Sequence, residues 1–270
     1  MDTSTVGCSA ALWRDGGIVA GRWAEMARGQ SEALVPMVQD VMIEAKHAYK
    51  DLDAVAVTVG PGAFTGLRIG LAAARGMALA LGVPCLGVTT LETIAHGVDK
   101  AARSGRNLLT ALDTKRRDIY VQAFDQGLEP IGPAAAVALE AVRDFVPKGS
   151  VVIAGDVAER VAGVLEKDFT DFTIAPGPGI PDAAVVAEIV AARWHLGQDA
   201  PLPEPLYLRS PDAKLPKDGG AMFCDWLEFV QRSDSEGTKH VELLARENAR
   251  LEGRSFFAQA DEISFDESKG

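Results

Sequence analysis

The stretch from residue 54 to 81 restricts the fold more than any other part of this chain. An unbroken apolar, largely β-branched run, Ala54-Val55-Ala56-Val57-Thr58-Val59, gives way to a glycine-rich turn from Gly60 to Gly66. From Leu67 to Leu81 only Arg68 and Arg75 then carry charge. A short apolar run bounded by glycine reads as a strand buried on both faces. A helix that is apolar nearly all round must be covered nearly all round. Strand, tight turn and buried helix together are a step of an α/β protein.

The rest of the chain fits that step. Cys8 to Arg14 and Ile18 to Glu25 flank Asp15-Gly16-Gly17 and predict a hairpin, because Asp-Gly favours a tight turn. Leu34, Met37, Val38, Val41, Met42 and Ala45 recur at helical spacing and predict a helix over 31–49, with Ser31 as its N-cap and Glu32 in its first turn. Strands are predicted at 85–88, 107–113, 118–124 and 151–154, and helices at 91–98, 139–145, 158–165 and 182–196. Hairpin first and β-α alternation later imply a mixed sheet flanked by helices. Prolines at 201, 203, 205, 211 and 216 mark the end of the compact body. Beyond them, 241–251 has the pattern of an amphipathic helix, and 233–237 and 261–270 are polar and expected to be mobile.

A net charge of −11 argues against a chain that grips nucleic acid unaided, since phosphate binding needs a concentrated basic surface. Lys115-Arg116-Arg117 is the densest basic patch and reads as a solvated turn. Cys8, Cys85 and Cys224 are odd in number and scattered, as in a cytoplasmic protein with reduced thiols. No apolar run reaches the ~20 residues that span a bilayer, so no membrane role is expected.

The glycine turn follows a strand and opens a helix, where free N–H groups and the helix dipole can receive an anion. It is not a Walker loop, because Leu67-Arg68 follows Gly66 where Lys and then Ser or Thr would be required. It is not a dinucleotide fingerprint either, because Thr65 stands where the third glycine belongs. On spacing alone the favoured reading is a turn that glycine permits, with Thr65 capping the next helix.

Gly60-Pro61-Gly62-Ala63-Phe64-Thr65-Gly66-Leu67-Arg68-Ile69-Gly70 closely resembles the signature of the TsaB (YeaZ) family, with Ala63 where that family usually has Ser. Asp2-Thr3-Ser4-Thr5, Cys8-Ser9, Ser31-Glu32 with Leu34 and Pro36, Asp51-Leu52-Asp53, Gly87-Val88-Thr89-Thr90-Leu91, Asp118-Ile119-Tyr120 and Pro205-Leu206-Tyr207-Leu208-Arg209 fit it in order and spacing. Gln30 occupies the family's usual histidine. The resemblance covers about residues 2–214. It implies an actin-like (ASKHA) fold of two lobes, 1–102 and 103–214, with 215–270 a partly disordered tail of unknown role.

It also implies a non-catalytic scaffold in the formation of N6-threonylcarbamoyladenosine in tRNA. Such a subunit pairs with TsaD, the transferase, is joined by the ATPase TsaE, and forms a homodimer when TsaD is absent. ATP and metal are expected in the partner subunits and tRNA contact only through the complex. The residues agree: His47, His96, His195 and His240 form no HxxxH metal pair, and GxSxG is missing. Thr3 and Ser4 stand where actin-like kinases keep glycine, and would crowd a phosphate. Asp2, Thr3 and Asp113 are the weak nucleotide or magnesium candidates, which leaves an actin-like small-molecule kinase or ATPase as the alternative.

The apolar arc of the helix over 31–49 and the nearly uncharged helix over 67–81 exceed what one sheet face covers. Another part of the same chain could equally cover them; the resemblance implies that the two helices bundle with their counterparts in TsaD or in a second copy, and a partner interface is expected on that basis at Leu34, Val38, Val41, Leu67, Leu71 and Arg75. The resemblance further implies a hydrophobic strand running into Asp2. Met1 stands directly before Asp2, so that strand is absent, and the natural protein is expected to start a few residues upstream.

Overall fold

The structure, a computed structural model, describes residues 1–198, 200–209, 221–223, 226–233, 239–253 and 256–266. They divide into two compact units, Met1–Leu208 and Arg209–Gly270, so the division falls earlier than the expected start of the tail at 215.

The first unit opens with the predicted hairpin. β1 (Gly7–Arg14) pairs antiparallel with β2 (Gly17–Glu25). Its turn residues Asp15 and Gly16 have φ of 51° and 95°, as a two-residue primed turn requires. α1 (Gln30–Glu44) packs on this hairpin. β3 (Val55–Gly60) then runs parallel to β4 (Cys85–Thr89), joined through α2 (Phe64–Leu81). α3 (Thr90–Gly97) starts at once, because the Thr89 hydroxyl accepts from the Glu92 N–H at 3.2 Å and caps it. α4 (Lys100–Arg103) is a single turn.

The second half of this unit is built on a five-stranded mixed sheet. Its strands are β5 (Asn107–Asp113), β6 (Asp118–Phe124), β7 (Ala135–Ala138), β8 (Val151–Ala154) and β9 (Phe172–Ile174), in the order β7-β6-β5-β8-β9. α5 (Ala158–Leu165) covers it with Ala158, Val161, Ala162 and Leu165. On the other face, Leu91, Ile94, Ala95 and Val98 of the α3 region meet Leu108, Leu112 and Phe124. α6 (Ala183–Arg193), capped by Asp182, returns to the first half and packs on β1, β2 and β3. Each half therefore lends a helix to the other.

Met1 and Asp2 bridge β1 and β3. The Met1 nitrogen donates to the Ala56 carbonyl at 2.8 Å, and the Thr58 N–H donates to the Met1 carbonyl at 3.2 Å. Asp2 and Ser9 exchange two backbone bonds of 2.9 Å. The two residues thus sit between β1 and β3.

Several expectations are corrected. Ser31 does not cap α1: Gly29 does, at φ 99° with no side-chain bond, and the Ser31 hydroxyl donates to Glu32 Oε2 instead. α1 ends at Glu44, because Lys46 turns left-handed (φ 51°), and Tyr49–Asp51 is a separate 3₁₀ turn. α2 begins at Phe64, three residues before Leu67, with Ala63 as its N-cap and no side-chain bond, so Thr65 lies inside the helix. Leu139–Phe145 is 3₁₀ helix. α2 is the one helix among the described residues long and apolar enough to cross a membrane, although a third of it is buried in protein.

The second unit differs most from expectation. β10 (Ala221–Phe223) and β11 (Trp226–Ser233) pair in succession with β12 (Lys239–Gly253), which also pairs with β13 (Phe256–Asp266), all antiparallel. The stretch 241–251 is therefore strand, not amphipathic helix, because partners on both sides of β12 supply hydrogen bonds that local periodicity does not foresee. Asp261–Asp266, expected to be mobile, lies in β13. Residues 234–237 and 267–270 lie outside the described residues.

Candidate functional site

The glycine signature is explained by a close approach of backbone. The chain at Thr3–Ser4 crosses the loop so tightly that a Cβ on Gly62 would lie 2.2 Å from the Ser4 carbonyl oxygen. A Cβ on Gly66 would lie 2.1 Å from the Thr3 oxygen. Gly70, one turn further along α2, faces the Thr3 side chain, whose Oγ1 would be 2.7 Å from a Cβ. Hydrogen bonds fix the crossing: the Ala63 N–H donates to the Ser4 carbonyl at 2.7 Å and the Thr3 hydroxyl to the Gly66 carbonyl at 2.7 Å. One N–H at the start of α2, that of Ala63, is thus used internally. Gly60, at φ 113°, is approached by Leu206, whose N–H donates to the Val59 carbonyl at 2.7 Å. Pro61, which follows Gly60 in a cis peptide, is buried.

Asp2 and Thr3 are sealed under this crossing. One Asp2 oxygen accepts from the Ser4 and Thr58 hydroxyls, both at 2.6 Å, and from the Ser4 N–H at 3.1 Å; the other is buried without a partner. Burial pushes the Asp2 carboxyl above its ordinary range, and the three hydrogen bonds only partly oppose this. The folded state therefore binds the proton more readily than the unfolded chain. That contribution to stability is full below the ordinary carboxylate value near 3.8 and is lost as pH rises through the raised folded value. Asp2→Asn keeps an acceptor oxygen and cannot ionise, so the stability difference between variant and parent should grow in the variant's favour as pH rises from 4. Denaturant titrations of both proteins from pH 4 to 7 check this, and a constant difference would refute it.

Asp113 is not brought to Asp2. It lines a separate cavity of about 420 Å³, with Gly62, Thr65, Gly66, Gln30 and Asp156, from which Asp2 and Thr3 are absent. Its carboxylate is 3.2 Å from the Lys115 ammonium and 3.8 Å from the Arg160 guanidinium, and its N–H donates to Asp156 at 2.8 Å. Burial, with Asp113 nearby, pushes the Asp156 carboxyl up. Arg28 and Lys115 line the same cavity, so the acidic and basic side chains around it are balanced. Among the described residues no three of His, Cys, Asp and Glu are grouped to hold a metal ion.

The expected interface residues divide differently from expectation. Leu34, Val38, Val41 and Leu71 are buried in the core formed by β1, β3, α1 and α2, and Leu67 is equally buried. Those five cannot face a partner, because the β1–β2 and β3–β4 strands already cover that side of both helices. Arg75 donates to the Pro203 carbonyl. The outward side of α2 carries Phe64, Arg68, Ala72, Gly76 and Leu79 at helical spacing, with Leu79 86% exposed. Val35 and Ile43 are exposed on α1.

At the start of α2 this face gains an aromatic cluster that no local pattern in the sequence signals. The Phe64 and Tyr207 rings, 54% and 44% exposed, have centroids 5.4 Å apart. The Arg68 guanidinium lies 3.9 Å over the Phe64 ring, and its Nε donates to the Tyr207 hydroxyl at 3.3 Å. The turn at 60–70 and the segment 203–207 are therefore parts of one surface, and both charges of α2 brace the later segment. Partly exposed Phe, Tyr and Arg beside small residues suit protein association: the large side chains anchor and the small ones allow close approach.

Comparison with known proteins agrees with this geometry. Residues 12–170 match the family model described as TsaD: tRNA N6-adenosine threonylcarbamoyltransferase. An uncharacterised protein of Mycobacterium tuberculosis is 33% identical over 216 residues, 79% of this chain and 92% of that protein. The tRNA threonylcarbamoyladenosine biosynthesis protein TsaB of Escherichia coli is 38% identical over 120 residues, 44% of this chain and 51% of its own length. The solved structure of YeaZ from Pseudomonas aeruginosa superposes with a TM-score of 0.62 at 27% identity, covering 77% of this chain and 97% of that one. The chain belongs to the TsaB (YeaZ) family. Its mixed sheets flanked by helices are the actin-like fold of that family. In this member the family's glycine turn is a backbone crossing point, and its tyrosine-bearing C-terminal motif completes the outer face of α2.

Proposed function

We propose that this TsaB-family chain is the non-catalytic scaffold subunit in the formation of N6-threonylcarbamoyladenosine in the anticodon loop of tRNAs reading ANN codons, acting in the cytoplasm. The observation that carries the reading is the outer face of α2, apolar and anchored by Phe64, Arg68 and Tyr207. Its partner is a TsaD-type transferase, with a TsaE-type ATPase joining the pair. A second copy of the chain takes the same face when that partner is missing. ATP and metal reside in the partner subunits.

Co-purification with the TsaD-type protein of the native host tests the reading directly, and failure to form a complex would overturn it. The rival is a small-molecule kinase of the same fold. Calorimetry with ATP and magnesium separates the two: micromolar binding with turnover by the isolated chain would favour the kinase.

The isolated protein is expected not to bind tRNA appreciably. Its net charge is −11 and its densest basic patch is the three residues Lys115-Arg116-Arg117, so it has no cluster of five or more cations to replace the counterions of a tRNA backbone. Titration of labelled tRNA at low salt measures this. Tight binding that weakens steeply as salt rises would be the contrary result.

A further inference from the structure

In the second unit β12 is the central strand, with β11 on one side and β13 on the other. Its register sorts the residues by face. One rung sets Leu227 opposite Ala245 and Ala245 opposite Ile263. The rung two residues away sets Phe229 opposite Leu243 and Leu243 opposite Phe265. Residues opposite one another share a face, and so do residues two apart on a strand. These positions therefore form one apolar face, which Val241, opposite Gln231, extends. The rungs between them belong to the other face and carry Glu228, Glu242, Arg246, Glu262 and Asp266, so that face suits water. Beyond the register shift between Arg246 and Ala249 the first face carries Arg250 and Glu252, and its apolar part ends there.

A sheet with one apolar face needs a second layer over it. Among its described residues this unit has no helix and no second sheet to provide one. We propose that a second copy of the same sheet provides it, the two packing face to face as a β-sandwich. Three features select a copy of this chain. The two rungs and Val241 hold no charge, so two copies meet there without like-charge repulsion although each chain carries −11. Leu243 and Ala245 are neighbours on the same face of the central strand, so a copy turned end over end sets large residue against small. The area is also sufficient. Six residues of the face are larger than alanine; at the ~60–120 Å² each that a transfer of ~1.5–3 kcal/mol per side chain implies, two copies bury roughly 700–1,400 Å². Specific interfaces begin at about 1,000–1,200 Å². The proposal is independent of the outer face of α2, which belongs to the first unit.

Sedimentation of the full chain carrying Gly76→Glu and Leu79→Glu tests it, because those changes silence the α2 face as a source of dimers. A dimer that dissociates on dilution through about the micromolar range is expected. Leu243→Glu or Ile263→Glu, added to that chain, should raise Kd about a hundredfold or more. Glu242→Gln, on the other face, should leave it unchanged. Hydrogen exchange supplies an arm that needs no further variant, in case a charge on the face unfolds the sheet. Protection at Leu243 and Ala245 should fall about tenfold or more on dilution below Kd, while protection at Leu109 and Ala111 of β5 stays constant. A monomer at every concentration would overturn the proposal, and so would a dimer that survives both substitutions. Protection in β12 that is unchanged by dilution would overturn it as well, because the sheet would then be covered without a second copy.

Discussion

Gly76→Glu is expected to abolish association with the TsaD-type partner while leaving the monomer at least as stable as before. Gly76 is exposed in the fourth turn of α2, and a Cβ there would meet nothing within 4 Å, so the fold has room for a side chain. Glycine inside a helix is worse than an ordinary residue by about 0.5–1 kcal/mol, so the monomer should gain slightly. At an interface where small residues let a partner approach, the new carboxylate would be desolvated without a counter-charge. That costs about 3 kcal/mol or more, at least a hundredfold in Kd. Leu79→Glu, one turn on, should behave alike. Melting curves beside co-elution measurements separate the two effects. If Gly76→Glu and Leu79→Glu both melt normally and still co-elute with the partner, this face is not the interface. The buried Val38 and Leu71 would be poor probes, because a charge there breaks the chain's own core and loses the complex for an uninformative reason.

Gly66→Ala is expected to have the largest effect on the fold itself. Its methyl would be placed 2.1 Å from the Thr3 carbonyl oxygen, and that oxygen has nowhere to retreat. Thr3 is tied to Gly66 by its hydroxyl, and Ser4 to Ala63 by its carbonyl. Upstream, Met1 and Asp2 are held between β1 and β3. Relief requires moving the start of α2 away from the crossing, which disturbs the core around Leu67 and Leu71. A cost above about 3 kcal/mol follows, the upper end of overpacking effects. In a unit of this size that corresponds to a fall in Tm of roughly 6–12 °C. Gly163→Ala, in α5 with open space at the Cβ, is the control and should be neutral or stabilising. Similar melting of the Gly66→Ala variant and the parent would mean that the crossing is not as tight as described.

The elements legible in the sequence are those set by neighbours a few residues apart. Asp15-Gly16 specifies its hairpin because both residues accept positive φ. β3 and α2 follow from an apolar run, a glycine turn and a nearly uncharged helix. β7, β9 and α4 went unread, since four or three residues carry too little periodicity to stand out. The α2 glycines were legible as a signature at 62, 66 and 70, but the residues they make room for, Thr3 and Ser4, lie some sixty positions away. Tyr207 is likewise invisible as a neighbour of Phe64 and Arg68 until the chain returns.

The amino-acid sequence by itself determined the class of fold, the family and the existence of two helices too apolar for a single sheet face. Which side of those helices turns inward was decided only by tertiary structure: the sheets cover Val38 and Leu71 and leave Leu79 and Gly76 outside. The same holds for β12, whose residues have a helical period and are held extended by strands on both sides. Periodicity records that an apolar surface must be covered. What covers it is fixed by contacts between residues far apart in the chain, and those exist only once the backbone has closed on itself.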